Sequence, residues 1–153
     1  MNFFYEHLIA RKRGSAAFVI LLFCLLAFVI SRACVYAAML GYIPDSLTVN
    51  VRGVHIHHFA WGIMVASVAG FINFVLPYHL LPKWRLKLAA VYGWGLGWTF
   101  DEFGMWLHLR DDYLIRQSYD AMIILGAILI NVVYFSRIWR LLFRTARAII
   151  VKK

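Results

Sequence analysis

Four long apolar stretches dominate the pattern of hydrophobic and polar positions along the chain, and short polar segments separate them. A membrane-spanning helix needs about 20 mostly apolar residues. The pattern therefore predicts four transmembrane helices, at residues 15–40, 55–76, 86–109 and 118–135. Short connections favour antiparallel neighbours, and no long linker or internal repeat interrupts residues 1–153. We therefore expect an all-α integral membrane protein whose four helices form one antiparallel bundle and a single membrane domain.

The chain beyond the fourth stretch, residues 137–151, mixes basic and apolar positions with a helical period. One face carries a row of four arginines, Arg137, Arg140, Arg144 and Arg147. Trp139, Phe143 and Ile150 belong to the opposite face. A basic amphipathic helix of this kind lies in the plane of the lipid headgroups. The segment is predicted to be an interfacial helix whose arginines contact anionic lipid; a regulatory or partner-binding tail is the alternative.

Composition and charge support a membrane protein and argue against other classes. Hydrophobic residues make up 63% of the chain and charged residues 15%, which excludes a disordered chain and disfavours an ordinary soluble domain. The net charge of +9 would suggest nucleic acid in a soluble protein, but 12 of the 16 lysines and arginines flank the stretches on one side. The positive-inside rule assigns that side to the cytoplasm. We expect an inner-membrane protein with both termini inside, in contact with anionic lipid and with no nucleic-acid partner.

The strongest sign of chemistry is a pair of acids, Asp101 and Glu102, inside the third apolar stretch. An ionisable residue inside a span costs about 2.5–3.5 kcal/mol on insertion scales, so it is usually paired or functional. The two acids are therefore candidate catalytic residues, and the alternative is a packing role satisfied by a neighbouring side chain. At about 100° per residue, Asp101 shares a face with Gly93, Gly97, Gly104 and His108. Glu102 is expected to point to the other side, beside Trp98 and Trp106.

A second polar group opens the second stretch, where His55, His57 and His58 fall within four residues. His58 shares a helical face with Gly62, and antiparallel packing of this face on the glycine face of the third helix would bring His58 to the depth of Asp101. Asp120 enters the fourth helix from the same end. We therefore expect His58, Asp101 and Asp120 to meet. If residues 54–57 are extended, His55 and His57 would lie on one side as a chelating pair.

Histidine and carboxylate ligands suit zinc or iron, so a divalent metal is one interpretation of this cluster. Asp101 and His108 are about 10.5 Å apart along a helix, so one metal cannot take both. Two levels are predicted: an inner one with His58, Asp101 and Asp120, with Glu102 as an optional further ligand, and an outer rim with His55, His108 and Asp112. Without a metal, a protonated histidine or Arg116 is expected to neutralise the acids. Ser118 is interpreted as the N-cap of the fourth helix and not as a nucleophile.

These blocks together resemble a family of small bacterial multi-pass membrane proteins that has no assigned activity. The resemblance covers about residues 53–127 and depends on four motifs, His55-x-His57-His58-Phe59-x-x-Gly62, Gly95-x-Gly97-x3-Asp101-Glu102-Phe103, Leu109-x-Asp111-Asp112-Tyr113 and Ser118-x-Asp120-Ala121. A looser similarity is to VanZ-like envelope proteins, in which a similar block begins a late helix. Here that block, Arg116-x-Ser118-x-Asp120, is one residue shorter. Both resemblances imply a membrane protein of the envelope, and neither implies a substrate.

Three functions remain open from the sequence. The first is an envelope enzyme or metal-binding protein that uses the outward-facing His and carboxylate cluster. The second is a non-catalytic accessory or assembly subunit, in which the cluster is structural, and the third is a small transporter or proton pathway. A homo-oligomer or a larger membrane complex is compatible with each of them.

Overall fold

The computed structural model describes residues 15–42, 50–51, 54–55, 57–110 and 112–151, and these are predominantly α-helical. The elements in chain order are α1 (Ala16–Met39), β1 (Asn50–Val51), β2 (Val54–His55), α2 (His58–Val75), α3 (Leu81–Asp101), α4 (Phe103–His108) and α5 (Arg116–Val151). The two short strands pair antiparallel, Asn50 with His55 and Val51 with Val54. This small ribbon between α1 and α2 is the one departure from the predicted all-α fold in the described part of the chain.

Three helices in the described part of the chain are long and apolar enough to cross a membrane: Ala16–Met39, His58–Val75 and the Arg116–Phe135 portion of α5. Large apolar side chains such as Leu22, Phe71 and Ile123 are exposed on these helices. Exposed apolar surface of this extent is rare on soluble monomers, and it marks a surface that contacts lipid or protein. The chain is therefore a membrane protein.

The third predicted span differs most from the expectation. Its helix begins at Leu81, five residues before the predicted start, and Pro82 lies in the first turn. Proline is tolerated there because its missing N–H would have had no partner within the helix. The helix then ends at Asp101, and a separate short helix follows from Phe103. The predicted single helix 86–109 is thus two helices, with Glu102 between them.

The last helix, α5, is continuous for 36 residues. At 1.5 Å per residue it is about 54 Å long, well beyond the roughly 30 Å hydrocarbon core. The predicted boundary between a fourth span and a separate interfacial helix at 137–151 is therefore absent. No proline interrupts the segment, and Trp139 Nε1 donates a hydrogen bond to Asn131 Oδ1 (2.6 Å) across the expected boundary. Arg144 is exposed, whereas the side chains of Arg137, Arg140 and Arg147 lie outside the described residues.

Helix α3 lies against α1 along a row of glycines. A Cβ atom added to Gly93 would lie 2.5 Å from the carbonyl oxygen of Ile20, and one added to Gly97 would lie 2.5 Å from that of Cys24. The two backbones are therefore in direct contact, as small residues permit in membrane helices. Contacts advance along both helices in the same direction, so α1 and α3 are parallel. The sequence pattern had instead assigned this glycine face to the second helix.

The opposite face of α3 packs on α2 through a different glycine. A Cβ atom added to Gly95 would lie 2.6 Å from the backbone nitrogen of Ala66 and 2.7 Å from the carbonyl oxygen of Gly62. One added to Gly62 would in turn lie 2.6 Å from the backbone nitrogen of Thr99. Along α2, Gly62 comes before Ala66. Along α3 the order is reversed, because Gly62 contacts Thr99 as well as Gly95, whereas Ala66 contacts Gly95. Helices α2 and α3 are therefore antiparallel. Helix α3 is thus the central helix, held between α1 and α2.

Candidate functional site

The two acids lie at the break between α3 and α4. Glu102 leaves the helical conformation (φ −103°, ψ 15°), a sparsely populated backbone region. The carboxylates of Asp101 and Glu102 both lie within 3.2 Å of a ring nitrogen of His58, although the sequence pattern directed Glu102 to the other side of the helix. The expected position of Glu102 beside Trp98 and Trp106 stays a prediction. Asp101 is 0% exposed and Glu102 is 1% exposed. Both acids are therefore fully buried and need partners within the protein.

Arg32 of α1 is the partner of Asp101. Its Nε donates a hydrogen bond to Asp101 Oδ1, and its Nη2 donates one to the carbonyl oxygen of Asp101. Its Nη1 donates a hydrogen bond to the carbonyl oxygen of Tyr113. The guanidinium carbon also lies 4.8 Å from the centre of the Tyr119 ring, a cation–π distance. Arg32 is only 6% exposed. Each of the three guanidinium nitrogens thus donates a hydrogen bond, and such bonds help a protein to tolerate a buried charge.

Sequence reasoning missed Arg32 and proposed Arg116 as the arginine partner. Arg116 instead pairs with Asp120 on the same helix, four residues on, at 3.4 Å, with side chains 87% and 48% exposed. The signal for Arg32 was available, because it is an arginine inside a predicted span, and such residues usually pair within the bundle.

His58, the first residue of α2, connects the two acids. Its Nε2 lies 2.8 Å from Asp101 Oδ2, and its Nδ1 lies 3.2 Å from Glu102 Oε1. The expected proximity of His58 and Asp101 is therefore present. The ring of His58 thus lies between the two carboxylates, with one ring nitrogen toward each.

Glu102 has a second role at the start of α2. Its Oε2 accepts a hydrogen bond from the backbone N–H of Phe59 (3.0 Å), one of the N–H groups that a helix start leaves without an intrahelical partner. The residue at the N-cap position, His57, provides no side-chain cap. Negative charge at a helix N-terminus is stabilised by the helix dipole. Glu102 therefore caps α2 from a neighbouring segment of the chain.

His57 lines the same region. Its Nδ1 lies 3.4 Å from Glu102 Oε1, and its ring packs against those of Phe59 and Tyr113 at 6.2 and 6.1 Å. Its backbone is extended (φ −66°, ψ 146°), and residues 54–55 form a strand. The side chain of His55 lies outside the described residues. The chelating pair of His55 and His57 therefore stays a prediction.

The inner predicted metal level does not form among the described residues, and the outer rim stays a prediction because the side chain of His55 lies outside them. No group of three or more His, Cys, Asp or Glu side chains in this part of the chain could hold a metal ion. Asp120 is paired with Arg116 on the exposed surface, and His108 is exposed at the end of α4. The guanidinium of Arg32 provides the positive charge that pairs with Asp101 Oδ1.

Ser118 differs from its expected role. It is 1% exposed, and its Oγ accepts a hydrogen bond from the backbone N–H of Gly104 (2.9 Å). It therefore caps α4 and not its own helix. A Cβ atom on Gly104 would lie 2.7 Å from Ile115 Cγ2 and 2.9 Å from this oxygen. Gly104 thus brings α4 close to the start of α5.

We call Arg32, Asp101, His58 and Glu102 the buried charge network. It joins α1, α2, α3 and the α3–α4 break at one end of the bundle. No protein-family model, curated protein or solved structure matches the chain. The interpretation of the network therefore depends on its geometry alone.

Proposed function

We propose that the chain is an inner-membrane protein with four spans and with both termini in the cytoplasm. The direction of the helices supports a fourth span. Helix α3 is 21 residues long, about 32 Å. It lies between α1 and α2 along its length, so it crosses the membrane if those two helices do. Its lower hydropathy comes from Lys83, Arg85 and Lys87 near its start, on the side that the positive-inside rule assigns to the cytoplasm.

The start of α5 supports the same arrangement. Tyr119 packs its ring against Phe28 at 6.1 Å, and its hydroxyl lies 3.0 Å from that of Tyr36. The first turns of α5 thus face the second half of α1, and α5 returns toward the opposite side. Its length carries the arginine-rich end beyond the hydrocarbon core, where Arg144 and its neighbours would contact anionic headgroups.

Labelling of single cysteines tests this orientation. In a Cys34→Ser background, which removes the exposed native thiol while Cys24 stays buried, we would introduce Asp112→Cys or Tyr78→Cys. Asp112 follows α4, and Tyr78 lies in the exposed turn between α2 and α3. We expect a membrane-impermeant maleimide to label position 112 in intact spheroplasts and position 78 only after the membrane is opened. Labelling of both positions from one side would refute the four-span orientation.

We further propose that the buried charge network is an acid–base site for an envelope substrate. One observation carries this proposal: His58 lies between two buried carboxylates while its own side chain remains 28% exposed. A carboxylate that holds one nitrogen of an imidazole orients it for proton transfer. Asp101, which Arg32 neutralises, would hold the proton on Nε2, so Nδ1 is the nitrogen that would take a proton from a substrate group or return it. Glu102 Oε1, 3.2 Å from Nδ1, would stabilise the imidazolium formed in that transfer. The exposed fraction of the side chain is the access that a substrate group requires.

Complementation with histidine variants tests the acid–base role. Loss of a general acid or base reduces rate about 10²–10⁴-fold. In cells that lack the chromosomal copy, we therefore expect His58→Gln and His58→Ala to accumulate in the membrane but to fail to complement. Added imidazole should partly rescue His58→Ala, because the vacated position is partly exposed. His108→Gln is the matched control, since that histidine is exposed and outside the network. Full complementation by His58→Gln would eliminate the acid–base role.

The accessory-subunit alternative also has a specific observation in its favour. Glu102 caps α2, and Arg32 bonds the carbonyl oxygens of Asp101 and Tyr113 as well as a carboxylate. Such a network would align the helices even if it took part in no reaction. Under this alternative, His58→Gln complements as long as the protein accumulates, so the same experiment separates the two functions.

A proton pathway through one copy of the chain has less support. Below the network, the backbones of α1 and α3 touch at Gly97 and Gly93. The backbones of α2 and α3 touch at Gly62 and Gly95. Contacts this close leave no space for water at these positions.

A further inference from the structure

A cavity of about 470 Å³ lies at the other end of the bundle from the buried charge network. It is formed by the start of α1, the end of α2 and the start of α3. Its volume is within the range of small-molecule and cofactor sites, which run from about 300 to 1,000 Å³. No function assigned above uses this cavity.

The walls of the cavity are mainly apolar and are built partly from small residues. Ala16, Ala69, Gly70 and Ala89 line it, one or more from each of the three helices. Gly70 has only one side-chain neighbour near its missing Cβ, an atom of the Tyr92 ring at 3.8 Å. The space therefore exists because short side chains face each other where longer ones would fill it.

Polar groups are confined to a few positions of this lining, and one of them is charged. Arg85 is exposed and lines the cavity together with Asn73 and Tyr92. Arg85 lies four residues after Leu81, the first residue of α3, about 6 Å along the helix axis. A ligand that matched the polarity of this lining would have a long apolar part and an anionic group near Arg85.

The neighbourhood of Arg85 has the features of a membrane–water interface. Lys87 Nζ lies 4.9 Å from the centre of the Trp84 ring, and Tyr78 is exposed in the preceding turn. Tryptophan and tyrosine concentrate at the level of lipid headgroups. A guanidinium at that depth is suited to bidentate hydrogen bonds with a phosphate.

We propose that this cavity binds one acyl chain of an anionic phospholipid, with its phosphate at Arg85. The choice of the inner leaflet depends on the proposed orientation, because the cytoplasmic leaflet carries the anionic surface charge. The apolar walls hold the chain, and Arg85 selects the headgroup. The site is separate from the buried charge network, so it can bind lipid whether or not that network performs acid–base chemistry.

Native mass spectrometry of the full chain in detergent, titrated with phosphatidylglycerol or phosphatidylcholine, tests this inference. We expect phosphatidylglycerol to bind with a stoichiometry of one and at least tenfold more tightly. Arg85→Gln should abolish this preference, whereas Lys87→Gln, which removes the same charge two residues away, should change it less than twofold. Gly70→Phe should reduce binding of both lipids at least tenfold by filling the cavity.

Three results would overturn the site. The first is equal binding of the two lipids by the unchanged protein, and the second is an equal effect of Arg85→Gln and Lys87→Gln. The third is a dimer whose formation is blocked by Gly70→Phe, which would make a second copy of the chain the occupant. None of these results bears on His58, so failure here is distinguishable from failure of the acid–base site.

Discussion

Replacing Arg32 with methionine is expected to destabilise the folded protein by about 3–5 kcal/mol, the usual cost of breaking a buried ion pair from one side. Asp101 is 0% exposed, so its charge would be left without its cationic partner and away from water. The carbonyl oxygen of Tyr113 would also lose its hydrogen bond from the guanidinium. The free energy of unfolding, measured by denaturant titration in mixed micelles, should report this loss.

A double-mutant cycle separates the ion pair from simple loss of packing. Asp101→Asn alone should also destabilise, while Arg32→Met combined with Asp101→Asn should cost less than the sum of the two changes. Arg116→Met is the matched control, because its pair with Asp120 is exposed and such pairs contribute about 1 kcal/mol or less. If Arg32→Met were tolerated as well as Arg116→Met, Arg32 would not be the buried partner of Asp101.

Replacing Gly95 with alanine should destabilise the bundle by about 1–3 kcal/mol, the typical cost of overpacking. The added Cβ would lie 2.6 Å from the backbone nitrogen of Ala66 and 2.7 Å from the carbonyl oxygen of Gly62. Backbone atoms cannot move aside as the end of a flexible side chain can, so α2 and α3 must separate. Thermal denaturation in detergent should therefore show a lower melting temperature.

Gly126→Ala is expected to change the stability of the same chain in the opposite direction. Gly126 lies in α5, and a Cβ added there would meet no atom within 4 Å. Alanine is favoured over glycine in a helix by about 1 kcal/mol, so this variant should be as stable as the unchanged protein or more so. Equal losses in the two variants would mean that the loss at Gly95 does not come from the α2–α3 contact.

Much of the architecture was predictable because membrane helices depend on local sequence. The start and end of α1 and α2 lie within three residues of the predicted bounds, since a run of apolar residues of sufficient length must form a helix in lipid. Helical periodicity together with short loops brought His58 and Asp101 to one depth. The first expectation needed no knowledge of which helix packs against which, and the second needed only the assumption that helices joined by a short loop are antiparallel neighbours.

Other features depended on non-local contacts and could not be obtained from periodicity. A regular helical step placed Glu102 away from Asp101, whereas in the structure both carboxylates contact the ring of His58 and the helix is interrupted at Glu102. Two hydrogen bonds from other parts of the chain stabilise that break. Glu102 accepts one from the backbone N–H of Phe59, and the Ser118 oxygen that caps α4 accepts one from the backbone N–H of Gly104. Phe59 and Ser118, which lie 43 and 16 positions from Glu102 along the chain, thus contribute to the structure at this break.

By itself, the amino-acid sequence determined that the chain enters a membrane, where the first two helices lie, and that charged groups are buried in it. The free energy of transferring apolar residues to lipid decides these features, and it is a property of each segment alone. Only the tertiary structure decided that Arg32 neutralises Asp101 and that the glycines of α3 contact α1 on one face and α2 on the other. The physical reason is that a buried charge accepts any partner of opposite sign within reach, and only the packing of the helices determines which one that is.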